Sequence, residues 1–127
     1  MRARTGAEAI VASVTGPVAA PSTLLLGRYD KAGRLRFIAR TAPLAAPARR
    51  EVGCLLQPGG AQHPWQHRRF SEGWGTRETL ATGPVVSDIV IEFAADTAVD
   101  EGRYRHPVCY LRVRDDITSE QLPPPQP

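Results

Sequence analysis

The chain has 127 residues, 42% of them hydrophobic and 23% charged, with a formal net charge of +3. That length suits one domain around one core, since domains commonly hold about 100–150 residues. No run approaches the roughly 20 uncharged apolar residues that a helix needs to cross a bilayer, so a helical membrane protein is excluded.

Residues 8–16, Glu-Ala-Ile-Val-Ala-Ser-Val-Thr-Gly, are small and β-branched and stop at Gly16-Pro17, which predicts a strand ended by a turn. A second strand covers 23–29. Asp30-Lys31-Ala32-Gly33 carries a turn signature, with Asp30 able to cap its own backbone and Gly33 free to take positive φ, and it leads into a strand over 34–40. In that strand Leu35, Phe37 and Ala39 alternate with Arg34, Arg36, Ile38 and Arg40, giving a core face and a largely cationic face. By itself a cationic face is the ordinary solvated side of a half-exposed strand.

The apolar spacing then changes from two to about 3.6. Leu44, Ala48, Val52 and Leu55 form one helical stripe, Pro47 suits a first turn, and Gly59-Gly60 closes a helix over about 46–57. A loop with Trp65 and Trp74 precedes a strand over 85–93. The last strand, within 103–114, alternates Leu111 and Val113 with Tyr110, Arg112 and Arg114, and residues 118–127 read as a proline-rich, disordered tail. The order β-β-β-α-β-β predicts a mainly β fold, a five-stranded OB-fold barrel with one helix between strands 3 and 4, over residues 7–117. The pattern alone also admits other small barrels.

Fifteen of the sixteen basic residues are arginines, Lys31 being the only lysine. GC-rich coding accounts for most of such a bias, yet a guanidinium grips phosphate through two parallel hydrogen bonds, so the placement of arginines carries information. Cys54 and Cys109 stand far apart, outside any metal or redox spacing, and without export features they are expected as free, buried thiols of a cytoplasmic protein. His63, His67 and His106 lack the further donors a zinc site needs, and no metal is expected. The serines lack a Gly-x-Ser-x-Gly context and no phosphate-cradling Gly-x-x-x-x-Gly-Lys loop occurs, so no catalytic residue is assigned. What remains is Tyr110-Leu111-Arg112-Val113-Arg114-Asp115-Asp116, where two guanidinium groups project from one face about 6–7 Å apart beside an aromatic ring, a spacing that suits neighbouring phosphates. The adjacent aspartates are expected to orient or screen the arginines.

Several ordered blocks carry a resemblance. Glu8-Ala9-Ile10-Val11, Val14-Thr15-Gly16, Pro21-x-Thr23-Leu24-Leu25-Leu26-Gly27-Arg28-Tyr29, Gly33-Arg34-Leu35 and Arg40-Thr41-x-Pro43-Leu44 come first. Pro64-Trp65, Arg69-Phe70, Gly73-Trp74-Gly75-Thr76-Arg77-Glu78 and Arg105-His106-Pro107-Val108-x-Tyr110-Leu111-Arg112-Val113-Arg114-x-Asp116 follow. Over residues 4–118 the chain resembles the C-terminal domain of bacterial ATP-dependent DNA ligases. The resemblance implies an OB fold that closes on nicked duplex DNA, chiefly along its backbone at the minor groove.

It also implies that Arg112, Arg114 and Asp116 occupy ligase motif VI, whose basic residues contact ATP phosphates during adenylation of a catalytic lysine. The family often has Arg-x-Asp-Lys there; Ile117 stands where that lysine would be, leaving triphosphate orientation to the arginines. Arg34, Arg36 and Arg40 are the candidate DNA contacts. ATP and Mg2+ are implied for the complete ligase, although none is expected on this chain alone. The implied partners are nicked double-stranded DNA and a nucleotidyltransferase domain in cis or trans, with no membrane. The nucleophile's Lys-x-Asp-Gly motif does not occur in the 127 residues, and residues 1–6 are expected as the linker left from such a domain. The alternative is a stand-alone OB module that binds nucleic acid or protein without a ligase role.

Overall fold

The structure, a computed structural model, describes residues 5–66, 70–71, 79–80, 82–95, 99–100, 103–104 and 106–125. Strand β1 (Thr5–Thr15) pairs antiparallel with β2 (Thr23–Tyr29), and β2 pairs antiparallel with β3 (Leu35–Arg40). The turn before β3 is built as its residues predict: Asp30 Oδ1 accepts the Ala32 and Arg34 N–H groups, each at 2.9 Å, and Gly33 takes φ 82°. Helix α1 (Ala46–Gly53) follows, then β4 (Phe70–Ser71), β5 (Thr79–Leu80), β6 (Thr82–Pro84), β7 (Val90–Ala95), β8 (Val99–Asp100), β9 (Arg103–Tyr104) and β10 (Cys109–Val113). Strand β4 pairs with β5, and β8 with β9.

The main sheet has the order β10-β7-β1-β2-β3, with β6 beside the far half of β1. Its two edges meet just past β3 and just before β10, where Thr41 and Val108 form a parallel bridge. There Val108 N–H donates to Arg40 O at 2.8 Å and Ala42 N–H to Val108 O at 2.9 Å. This one parallel contact, against antiparallel pairing elsewhere in the sheet, closes a mainly β, OB-like barrel.

Two bulges, one on each side of β2, shape this part of the barrel wall. Ala12 is the extra residue of β1 against β2, and Ile38 that of β3 against β2. Bulges bend a strand and increase its twist, which lets β1 pair with β7 along Thr5–Ile10 and with β6 along Ser13–Thr15. They also shift phase. Ile38, expected on the cationic face, turns into the core beside Ala39, whereas Leu35 and Phe37 lie on the outer face. Arg40 pairs with Leu25, so it shares that outer face and is out of phase with Arg34 and Arg36.

Val11, Val14, Leu24, Leu26, Ile91 and Phe93 fill the interior, and Val52 and Leu56 come in from the helix segment. Full burial of such side chains is worth about 1.5–3 kcal/mol each. The helix is shorter than the expected 46–57 because the chain tightens after it: Leu55 N–H donates to Val52 O at 3.0 Å and Leu56 N–H to Gly53 O at 3.3 Å. Leu56 is therefore buried, and Leu55, predicted for the apolar stripe, is exposed.

The other expected boundaries shift as well. The strand predicted over 85–93 is interrupted by a turn, with Val85 bridged to Pro58 and β7 starting at Val90. The final strand is divided into β9 and β10, and β1 already begins at Thr5, inside the segment expected as linker. Both cysteines are free, but they are exposed rather than buried. Among the described residues no helix is long and apolar enough to cross a membrane.

A second apolar cluster covers the outside of the sheet. Trp65, in the loop expected for it, is only 2% exposed and packs with Ile10, Ala12, Leu25 and Leu35. Its Nε1–H donates to Leu35 O at 3.0 Å, and its ring meets Phe37 edge-on with centroids 6.1 Å apart. Gly27 lies beneath that ring, where a Cβ would meet Arg36 O, Leu35 and Trp65. The chain returns to this cluster after β10. Thr118 and Gln121 cap a short 3-10 turn over Ser119–Gln121, and Leu122 packs on the cluster where a free tail was expected. Trp74 lies outside the described residues.

Gly53 gives a test in which two effects have opposite signs. Alanine is favoured over glycine inside a helix by about 1 kcal/mol. A Cβ at this position, however, would run into the Ala19 carbonyl, in a segment that Arg49 already grips through hydrogen bonds to Ala20 O and Pro21 O. Gly53→Ala is expected to lower stability by about 1–3 kcal/mol, the usual cost of overpacking. A denaturant midpoint equal to or above wild type would show that the helix, rather than its contact with the 19–21 segment, sets the outcome.

Candidate functional site

The site is built by the register of β10 on β7. Cys109 pairs with Ala94 and Tyr110 with Phe93, after which Leu111 is left over and Arg112 pairs with Glu92. Tyr110 and Val113 consequently both pack on the barrel core, while Leu111 is 49% exposed. This corrects the simple alternation, which placed Tyr110 beside the arginines and Leu111 with Val113. Burial, with the Glu51 carboxylate near it, pushes the Tyr110 hydroxyl's pKa up to about 12.

The two arginines are brought together with three carboxylates. Arg112 donates through Nε to Glu92 Oε1 at 2.7 Å, and its side chain stays 62% exposed. Arg114 is 18% exposed and forms a two-pronged pair with Asp116, Nε to Oδ1 and Nη2 to Oδ2, each at 2.9 Å. Its Nη1 also lies 3.4 Å from Glu8 Oε2 and 3.8 Å from Glu92 Oε1. Hydrogen bonding to Asp116 holds the Arg114 guanidinium more firmly protonated than usual and lowers the Asp116 pKa to about 2. Asp116 orients Arg114, as the adjacent aspartates suggested. Glu8 and Glu92 were not singled out from the sequence, although the Ile91-Glu92-Phe93 alternation already turns Glu92 away from the core.

Arg34, Arg36 and Arg40 do not form one patch. Arg34 Nε lies 3.3 Å and Arg36 Nη1 3.7 Å from Asp30 Oδ2, at the hairpin turn. The Arg34 backbone N–H, helped by the Ala32 N–H and the Arg34 charge, holds the Asp30 carboxyl below its ordinary pKa. Arg40 stands on the opposite face, half-buried. Arg28, next to Arg36 in register, donates Nε and Nη2 to Glu8 O at 2.9 and 2.6 Å, and burial lowers its pKa.

No family model and no curated protein matches the chain. Solved structures of a DNA ligase share its fold. The ligase domain of LigD from M. tuberculosis superposes with a TM-score of 0.72 at 17% identity, covering 94% of this chain and 38% of that one. Mycobacterial DNA ligase D complexed with ATP and MES gives a TM-score of 0.70 at 16% identity, covering 94% of this chain and 37% of that one. The chain thus spans less than two fifths of either, and at such identity the likeness shows the fold.

Among the described residues no group of three His, Cys, Asp or Glu side chains gathers as a metal would require. His63 has a different task. The Trp65 N–H donates to its Nδ1 at 2.9 Å, which leaves the ring proton on Nε2, 3.2 Å from Ser87 Oγ. The neutral ring thereby fixes the loop that seats Trp65, and burial lowers its pKa below the ordinary 6.5.

A depressed imidazole pKa means that the unfolded chain takes up the proton first. The contribution is complete above about 6.5 and declines as pH falls below it. The melting temperature is expected to drop between pH 7 and pH 5, and His63→Gln, with no group to titrate, should flatten that slope. An unchanged slope in the variant would remove His63 as its cause.

Proposed function

We propose that the chain is the DNA-clamping OB domain of an ATP-dependent DNA ligase. It closes on nicked duplex DNA and supplies the arginines of its closing strand, Arg112 and Arg114 with Asp116, to orient the triphosphate while a nucleotidyltransferase domain, in cis or in trans, forms a lysyl-adenylate. The observation that carries the reading is a ligase-like barrel whose closing strand sets Arg112 and Arg114 side by side on its outer face. A guanidinium is the side-chain group whose parallel N–H donors match phosphate oxygens. ATP with Mg2+ is the activating reagent of the complete reaction, and this chain's part in it is charge and orientation.

Arg34, Arg36 and Arg40 are the proposed DNA contacts. Because the bulge at Ile38 divides them between two faces, Arg34 and Arg36 at the hairpin form one contact area and Arg40 another. Contacts to the backbone carry little sequence preference and weaken as salt rises. The alternative of a stand-alone single-strand binder has less support. OB modules commonly bind such ligands over strands 2 and 3, and here Trp65 and Leu122 cover the outer face of β1, β2 and β3.

The test is direct: the chain is mixed with nicked duplex at low and high salt, with and without a ligase nucleotidyltransferase domain and ATP. Salt-sensitive binding and faster sealing in the presence of the chain are expected. No binding at low salt together with no effect on sealing would overturn the assignment. Arg34→Ala combined with Arg36→Ala should also reduce the slope of log affinity against log salt by about 1–2, in proportion to the phosphates lost.

A further inference from the structure

The two arginines are held in different ways. Arg114 bridges Glu8 on β1, Glu92 on β7 and Asp116 beyond β10. Glu8 and Glu92 are directly opposed in register, an arrangement that costs stability for like charges unless a cation lies between them. Arg114 is that cation. With its Nε and Nη2 already paired with Asp116, its Nη1 turned to Glu8 and little of its side chain exposed, it has no free edge to offer a ligand.

Arg112 is held at one point only, through Nε to Glu92. Among the described residues its Nη1 and Nη2 make no hydrogen bond, and most of the side chain faces solvent. A guanidinium has two edges for bidentate pairing. Contact at Nε leaves open the end edge, whose two N–H groups point in parallel and match two phosphate oxygens. Free arginine side chains lose considerable conformational entropy when they bind; one already fixed at Nε has less to lose.

We infer that Glu92 is a positioning residue for phosphate recognition: it aims the end edge of Arg112 at the ligand, while Arg114 and Asp116 staple the three segments together and do not touch the phosphate. This rests on the reading that the closing strand meets a polyphosphate. It goes beyond that reading in giving Arg112 the contact and Glu92 the aim. The opposite role for Glu92, a carboxylate that competes with phosphate for Arg112, predicts effects of opposite sign.

The experiment is an NMR titration of the full chain, following arginine side-chain N–H signals, with inorganic tripolyphosphate at low salt. Arg112 signals should shift and saturate while those of Arg114 stay in place, and Arg112→Ala should abolish the response with the amide spectrum otherwise retained. Glu92→Ala should weaken binding roughly twofold to tenfold, the scale of immobilising one flexible side chain. Glu92→Gln keeps an oxygen acceptor and should lose less. If Glu92→Ala does not fold, Glu92→Gln carries the comparison, with weaker binding than wild type expected. Equal or tighter binding in a folded Glu92 variant overturns the inference, as does the lack of a saturable wild-type response or a shift led by Arg114. Nicked-duplex binding by the same samples tests the ligase reading separately, because it can fail while the tripolyphosphate response stands, and the reverse.

Discussion

One extra residue in β10 determines what the closing strand presents. Without the bulge at Leu111, residue 112 would fall opposite Ile91, and its side chain would point at the barrel core. With it, Tyr110 and Val113 both face inward while Arg112 stands beside Glu92 on the outer surface. The bulge leaves Leu111 half exposed. In return it sets Arg112 and Arg114 together at the sheet edge with the carboxylates of β1 and β7 within reach. Bulges commonly re-aim side chains next to functional sites, and the proposed phosphate contact depends on this one.

The rest of the barrel gives that edge a rigid support. The parallel bridge between Thr41 and Val108 fixes where β10 starts, and the Thr41 hydroxyl, which accepts the Leu24 N–H at 3.0 Å, ties the same corner to β2. Covering β1 on both faces, with the core inside and Trp65 with Leu122 outside, holds Glu8 and Glu92 at fixed spacing. The covering also limits which faces are open to ligands. The Trp65 face is occupied, whereas the Arg112 edge and the Arg34–Arg36 hairpin remain exposed.

What was legible in the sequence follows from the range of the interactions involved. The turn at Asp30–Gly33 and the first turn of α1 with Pro47 are local, and both stand where their residues indicate. The order of strands and the helix after the third could be read because apolar periodicity changes there. The bulges could not, since a strict period of two carries no mark of an inserted residue; Ile38, Tyr110 and Leu111 were consequently assigned to the wrong faces. Leu56 takes the buried place expected for Leu55 for a similar reason, because the helix end tightens by a fraction of a turn. Arg112, Arg114 and Asp116 stood out as a charged run, but Glu8 lies 106 residues from Arg114 and Glu92 20 residues from Arg112, and only the sheet order joins them. Trp65 carries no local sign that its indole N–H belongs to Leu35 O across 30 residues.

In the proposed function the closing strand works on the triphosphate rather than on DNA. The most direct measurement compares Arg112→Ala with wild type in two assays on one preparation: ATP-dependent adenylation of a nucleotidyltransferase domain supplied in trans, and binding to nicked duplex. Adenylation is expected to fall at least tenfold, as for loss of one charge-assisted contact of about 1.5–3 kcal/mol, while DNA affinity stays close to wild type. Equal losses in both assays would contradict it.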